Sequence, residues 1–175
     1  MPAALVPVRL RLRARLRSKF TKELSMIRHE LSQWPLVISI SSGLQTLESM
    51  NAFTEDWNRW LDRGEPFASL RVFADADALV HPEGSAQRAK QWLQARGEDI
   101  RRHMMGMASV VPATQYEKIS KMNVEKLFGV PASTFVSTDD ALTWLGESVL
   151  APRGLRLDSA AVRAAIGAVR ATPVS

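Results

Sequence analysis

The stretch Phe67–Phe73, Phe-Ala-Ser-Leu-Arg-Val-Phe, decides the fold class. It is a short apolar run that follows a glycine stop at Gly64 and precedes a polar loop through Asp75 and Asp77, which favours a central strand over a buried helix. A second stretch, Pro35–Ser41 (Pro-Leu-Val-Ile-Ser-Ile-Ser), is rich in β-branched residues and predicts another strand. Two such runs joined by an amphipathic segment are typical of a parallel sheet with crossover helices.

Short apolar runs and amphipathic stretches also alternate outward from these two strands. We predict strands at Met26–Leu31, Met107–Val111 and Thr134–Val136, and helices that begin at Thr54, at Pro82 and Glu83, near Gln115 (to about Phe128) and at Thr138. Residues 44–53 either extend the helix that is capped at Thr54 or form a turn of their own. Trp92 and Trp144 lie on the inward stripes of two of these helices and are predicted core residues. The order predicts an α/β domain with a small mixed sheet of four or five strands and right-handed crossover helices.

The basic charge is confined to one end of the chain. The 175 residues carry a net charge of +5, and seven basic residues against Glu23 give +6 to the first 25, which leaves −1 for the remaining 150. A basic groove on the folded domain is therefore not expected, and we predict that this domain does not bind nucleic acid. Residues 1–25 are interpreted as an unstructured arm that touches phosphates or anionic lipid, as a targeting peptide, or as a segment upstream of a true start at Met26.

The apolar periodicity predicts one domain over residues 26–150. Residues 151–175 are predicted to be a flexible tail, because Ser159–Ala171 is rich in alanine and has few large apolar side chains for docking. The absence of cysteine excludes disulfides, thiolate catalysis and cysteine zinc sites. No apolar run approaches the roughly 18 residues of a membrane span, so we expect a cytoplasmic protein.

Four motifs resemble those of a known family. They are Arg63–Ala68 (Arg-Gly-Glu-Pro-Phe-Ala), Ala86–Arg88 with Trp92, Gly106–Pro112 and Asp139–Leu145. Over roughly residues 30 to 148 the chain resembles bacterial SpoIIAA-like proteins of the STAS/SEC14-related group. The resemblance implies a four- or five-stranded sheet with packed helices. It also implies a regulatory module that binds proteins, in some relatives switched by phosphorylation of a serine at a helix N-terminus, or a site for an apolar ligand.

Three serines are candidates for such a switch. Ser41 and Ser42, followed by Gly43 and Leu44, imitate the Asp-Ser-Ser-Gly-Leu element of anti-sigma-factor antagonists, although Ile40 replaces the aspartate. A turn after a strand needs serine and glycine for ordinary reasons, and the turn is the favoured interpretation. Ser85 lies at the start of the long helix, where a phosphate would meet free backbone N–H groups; an ordinary first-turn polar residue is the alternative.

A phosphotransferase pattern also has candidate residues. Asp75 and Asp77 after an apolar strand imitate the Asp-x-Asp motif of haloacid-dehalogenase-like enzymes. A hydroxyl (Ser109 or Thr114), a lysine (Lys118 or Lys121) and the pair Asp139 and Asp140 follow in that order. The acidic pair is equally explained by the helix dipole. Asp75, Asp77 and His81 could meet at a metal ion, but a solvated loop is the favoured interpretation, so we predict no catalytic residue, metal or cofactor.

The function predicted from these observations is a non-catalytic regulatory or adaptor module that binds a protein partner, a second copy of the chain included. The alternative is a carrier of a small apolar ligand or lipid, suggested by seven Met and five Trp, and a Mg²⁺-dependent phosphotransferase-like enzyme comes third. Loops that follow parallel strands converge on one edge of a sheet, so a partner is expected there. The predicted partner-binding residues are Ser41, Ser42, Asp75, Asp77, His81 and Ser85.

Overall fold

The computed structural model describes residues 25–172, so the predicted arm lies outside the described residues except for Ser25, as does the end of the predicted tail. The strands are β1 (Met26–Glu30), β2 (Leu36–Ser42), β3 (Phe67–Phe73), β4 (Met104–Val110) and β5 (Ala132–Phe135). The helices are α1 (Leu47–Asp62), α2 (Ser85–His103), α3 (Ala113–Ser120), α4 (Val124–Phe128), α5 (Thr138–Trp144) and α6 (Ser159–Ala171). The predicted α/β class and mixed sheet are confirmed.

The sheet has the strand order β1-β2-β3-β4-β5. β1 runs antiparallel to β2, and the pairs β2–β3, β3–β4 and β4–β5 are parallel. The four parallel strands therefore end at the same edge, which we call the C-terminal edge. It comprises the segments that directly follow β2, β3, β4 and β5, residues 43–46, 74–84, 111–116 and 136–137.

The two faces of the sheet carry separate cores. The α6 face contacts α5, the π-helical segment Leu145–Leu150 that continues it, and α6, and the α1 face contacts α1 and α2. Alternate residues of each strand point to opposite faces, so Leu36, Ile38 and Leu70 lie on the α6 face and Val37 and Phe67 on the α1 face.

The first helix begins earlier than the sequence analysis predicted. Thr46 caps α1, because its hydroxyl accepts a hydrogen bond from the Ser49 backbone N–H and the Ser49 hydroxyl accepts one from the Thr46 N–H. Thr54, the predicted cap, lies inside the helix, where its hydroxyl donates to the Met50 carbonyl oxygen. The prediction was wrong because a Thr followed by two acids fits a helix interior as well as a helix start.

Other element boundaries also differ from the predicted ones. β5 covers Ala132–Phe135 rather than Thr134–Val136, and α2 begins at Ser85 rather than at Pro82 and Glu83. β4 begins at Met104 rather than Met107, and the predicted helix near residues 115–128 is two short helices, α3 and α4. Asn123 separates them by capping α4, with its side chain accepting from the Lys126 N–H. Ser137 rather than Thr138 caps α5.

The C-terminal helix docks on the sheet, contrary to the prediction that this segment cannot dock firmly. Val162 and Ile166, one helical turn apart on α6, are buried in the core of the α6 face. The Arg28 guanidinium of β1 donates to the carbonyl oxygens of Val169 (3.0 Å) and Thr172, which holds the C-terminal end of the helix. Two aliphatic side chains and one arginine therefore anchor an alanine-rich helix that the sequence analysis assigned to a tail.

The large side chains singled out in the sequence divide between the cores and the surface. Met104, Met105 and Met107 are buried, while Met122 is exposed. Trp92 and Trp144 pack against the two cores but are only partly buried. Among the helices of residues 25–172, none combines the length and the apolar character that a membrane crossing requires.

Candidate binding site

The loops after β2 and β3 are held together at the C-terminal edge by Asp75. Its carboxylate accepts hydrogen bonds from the Gly43 N–H (3.0 Å to Oδ2) and from the Ala78 N–H (2.9 Å to Oδ1). The Gln45 side chain donates to the carbonyl oxygens of Ser42 and Gly43. Asp75 therefore fixes the shape of both loops, and its oxygens are already engaged with backbone donors.

The other predicted binding residues lie at different depths around this edge. Ser41 is buried near the end of β2, Ser42 is half-buried, and Asp77 is exposed at the start of a single 3-10 turn. Ser85 is buried as the first residue of α2, and its hydroxyl has no hydrogen-bond partner among the described residues. Much of His81 remains in solvent; desolvation of its ring, followed by the charge of Arg71, lowers its pKa.

Exposed apolar side chains also collect at the C-terminal edge. Leu44 follows β2, Val80 follows β3, Tyr116 lies in the first turns after β4, and Val136 follows β5. Seven large apolar side chains are exposed within residues 25–172, so more than half of them lie at this edge. Single exposed apolar side chains are normal, but one after every parallel strand gives the edge a repeated apolar element.

A row of polar side chains crosses the α1 face and was missed in the sequence analysis. His29, Ser39, Arg71, Ser109 and Thr134 are neighbours in register on β1 to β5; we call them the polar row. Parallel strands covered on both faces are usually apolar throughout, so serine and arginine at alternate positions of β2, β3 and β4 were the available signal. The apolar residues that alternate with these polar side chains made the polar pattern easy to overlook.

At one end of the polar row, His29 joins Ser39 to Asp56 of α1. His29 Nε2 lies 3.1 Å from Asp56 Oδ2, and Nδ1 lies 2.9 Å from the Ser39 hydroxyl oxygen. Desolvation lowers the pKa of His29 despite Asp56 beside it, so the ring is neutral near pH 7. The neutral ring donates from Nε2 to the carboxylate and accepts the Ser39 O–H at Nδ1.

These three residue types also activate the hydroxyl nucleophile of serine hydrolases. Here Ser39 is 1% exposed and lies inside β2, whose backbone pairs with β1 on one side and β3 on the other. Backbone N–H groups engaged in the sheet cannot form an oxyanion hole. The arrangement acts as a buried hydrogen-bond network that ties α1 to the sheet.

At the centre of the polar row, Arg71 forms no ion pair with a described residue. Its guanidinium lies 5.1 Å from the Phe53 ring centre and 5.0 Å from that of Phe73. The Nε–H is buried without an acceptor, and desolvation lowers the pKa of Arg71 to about 10. The arginine therefore remains charged at neutral pH while lacking a counter-ion in this part of the chain.

At the other end of the polar row, Ser109 and Thr134 lie in the floor of an open cleft of about 410 Å³. The wall is formed by α3, α4 and their connection, including Tyr116, Ser120 and Lys121. Neither α3 nor α4 contributes a fully buried side chain, so this wall packs loosely. Hydroxyl, amide and charged groups predominate in the lining, which suits a polar molecule better than an apolar one.

The residues of the phosphotransferase pattern are not assembled as that chemistry requires. Both Asp75 oxygens accept backbone hydrogen bonds, and Asp139 binds Arg163 of α6 at 2.7 Å. Within residues 25–172, no three His, Asp or Glu side chains lie close enough to hold a metal ion together.

Comparison with known proteins adds no family to this description. No protein-family model matches the chain, and neither a curated protein nor a solved structure is significantly similar to it. The α/β class therefore rests on the sheet itself, and the resemblance to SpoIIAA-like proteins remains a prediction.

Proposed function

We propose that the chain is a non-catalytic, cytoplasmic regulatory or adaptor module that binds a protein partner through its C-terminal edge. The observation that carries the proposal is the exposed apolar side chain after each parallel strand, at Leu44, Val80, Tyr116 and Val136. Adjacent strands are about 4.8 Å apart, so these side chains spread over roughly 15 Å, the scale of a small interface core.

Ordered loops strengthen this proposal. Asp75 joins the loop that carries Leu44 to the loop that carries Val80, so an incoming partner does not have to order them. Exposed Asp77 and partly buried Ser42 lie beside the apolar side chains and supply polar contacts around them. The resemblance to SpoIIAA-like regulators agrees with protein binding.

A pair of matched leucines tests the proposal. Leu44 is 57% exposed at the C-terminal edge, and Leu127 is 60% exposed on α4, just before β5 begins at the opposite edge. We expect Leu44→Asp with Val80→Asp to abolish capture of a partner from lysate, measured by quantitative mass spectrometry. Leu127→Asp should retain the same captured protein, and both proteins should melt like the wild type.

Loss of capture with Leu127→Asp alone, or full capture by the double variant, would move the interface away from this edge. Sedimentation of the purified proteins shows whether the partner is a second copy of the chain, because a wild-type dimer would then dissociate in the double variant only. Asp75 is unsuitable as a probe, since its replacement also releases the Gly43 and Ala78 N–H groups.

A further inference from the structure

Three of the four neighbours of Arg71 within the sheet, on its α1 face, are serines. Ser39 and Ser109 are its register neighbours on β2 and β4, and Ser69 and Phe73 precede and follow it by two positions on β3. The Ser39 hydroxyl is engaged with His29, but the Ser69 hydroxyl is buried without a hydrogen-bond partner among the described residues. Ser109 is partly exposed at the cleft floor. Ser69 and Ser109 are therefore hydroxyl side chains close to Arg71 in the sheet that are not engaged with His29.

The Arg71 guanidinium has no acid partner among the described residues, and its buried Nε–H has no acceptor there. Buried arginines in proteins are paired with acids or fully hydrogen-bonded, because an unpaired buried charge costs several kcal/mol. Asp56 of α1 is the acid that contacts the polar row, through His29, and it also binds Arg59. The rings of Phe53 and Phe73 attract the cation but cannot accept its in-plane N–H groups or neutralise its charge.

The polar row leads from Arg71 to solvent. Arg71 itself is partly exposed, and the next member, Ser109, opens into the 410 Å³ cleft. Ser120 and Lys121 line the same cleft and can donate to further oxygens; Lys121 also binds Glu117 at 2.8 Å, and Glu125 is the acid of the lining. Arg71 does not line the cleft itself, but it is the register neighbour of Ser109 in the cleft floor, so an anionic group bound at Ser109 lies one strand away from Arg71.

We propose that Arg71, Ser69 and Ser109 form a binding site for a phosphate group, either free or as the ester of a small molecule in the cleft. A guanidinium presents parallel N–H donors that match two oxygens of an oxyanion, and the hydroxyls supply donors for the others. A phosphate monoester has more oxygen acceptors than a carboxylate and therefore fits this donor set better. The site is separate from the proposed partner surface except at Tyr116, which lines the cleft and also belongs to that surface.

Thermal unfolding of the whole chain tests the site with two probes, inorganic phosphate and glycerol 3-phosphate, at constant ionic strength. With a dissociation constant near ~1 mM, about 20 mM phosphate should raise Tm by about 4 °C. Arg71→Met should abolish this rise and keep or raise Tm without phosphate, since it removes a partly buried charge that has no acid partner among the described residues. Arg102→Met is the matched control, because Arg102 is exposed on α2 and binds Glu98; it should respond like the wild type.

A binding measurement keeps the test valid if Arg71→Met is destabilised. Phosphorus NMR should show broadening of the probe signal by the wild type and by Arg102→Met, and little by Arg71→Met or Arg71→Lys. A stronger effect of glycerol 3-phosphate than of phosphate assigns the site to an ester, and an equal effect assigns it to the free ion. The proposal is overturned if neither probe binds the wild type, or if Arg71→Met binds as the wild type does.

Discussion

The two faces of the sheet differ in the polarity of their side chains, in the half of the sheet that is nearer the C-terminal edge. On the α6 face, β2 and β3 present Leu36, Ile38, Ile40, Leu70 and Val72 from one end to the other. On the α1 face, the apolar residues Val37 and Phe67 give way to Ser39, Ser41, Ser69 and Arg71. The α6 face is therefore explained by packing alone, whereas the α1 face buries polar groups that packing does not require.

This difference in polarity also distinguishes what the two faces contribute to the stability of the protein. Apolar burial on the α6 face supplies stability in proportion to area, and any well-packed aliphatic set would serve. A buried hydroxyl without a partner, as in Ser69, and an arginine without an acid partner among residues 25–172 lower stability, which is the reason to look for a function on that face. Four changes test this division, beginning with the one of largest expected effect.

Removal of α6 should unfold the α6 face. A chain that ends at Leu150 loses the buried side chains of Val162 and Ile166, worth roughly 3–6 kcal/mol together, and should melt about 10 °C or more below the full chain in calorimetry. Deletion of residues 1–25 is the control, and we expect Tm to change by only a few degrees. An unchanged Tm after truncation at Leu150 would restore the interpretation of this segment as a tail.

Leu70→Ala should lower the free energy of unfolding more than truncation of either adjacent residue, Ser69 or Arg71. Leu70 is fully buried on the α6 face, and removal of its side-chain carbons leaves a cavity that costs about 3 kcal/mol in urea unfolding. A cost below about 1 kcal/mol would mean that the α6 face repacks easily and that its core is not close-packed.

The predictions from the sequence were most accurate where burial is apolar and continuous. β3 was predicted with its exact ends because both of its faces are buried and turn residues bound it. Docking of α6 was not predicted, because the alanine-rich composition of the segment conceals the i,i+4 pair Val162 and Ile166. The composition of a segment gives the number of its apolar residues, whereas docking depends on which of these residues face the sheet.

The candidate site was predicted only in part, for two physical reasons. The C-terminal edge follows from parallel topology, so its loops could be named, but the hydrogen bonds of Asp75 depend on a loop 32 residues earlier in the chain. The polar row joins residues of five strands, and a register of that kind is fixed only when the strands pair.

Lowering the pH should reduce the stability of the folded protein through His29 on the α1 face. Its pKa in the folded protein is lowered, chiefly by desolvation, so below pH ~6.5 the unfolded chain binds a proton that the folded protein excludes. Stability should therefore fall as the pH drops from ~6.5 towards the folded pKa, by less than the cost of Leu70→Ala. In urea unfolding across this range, His29→Gln should flatten the slope; His81, whose pKa shifts in the same direction, contributes the remainder. A wild type that gains stability in acid would instead show a charged His29 paired with Asp56.

The smallest change gives the most direct comparison, because Ser69 precedes Leu70 and faces the opposite side of β3. Its hydroxyl is buried and lacks a partner among the described residues, so Ser69→Ala removes a polar group whose burial is uncompensated. We expect urea unfolding to show a change between zero and about 1 kcal/mol in the stabilising direction. If the same variant also binds phosphate more weakly, the hydroxyl is retained for binding at a cost in stability. A loss of more than about 1 kcal/mol would instead show that Ser69 supports the fold, and the contrast between the two faces would then not extend to this residue.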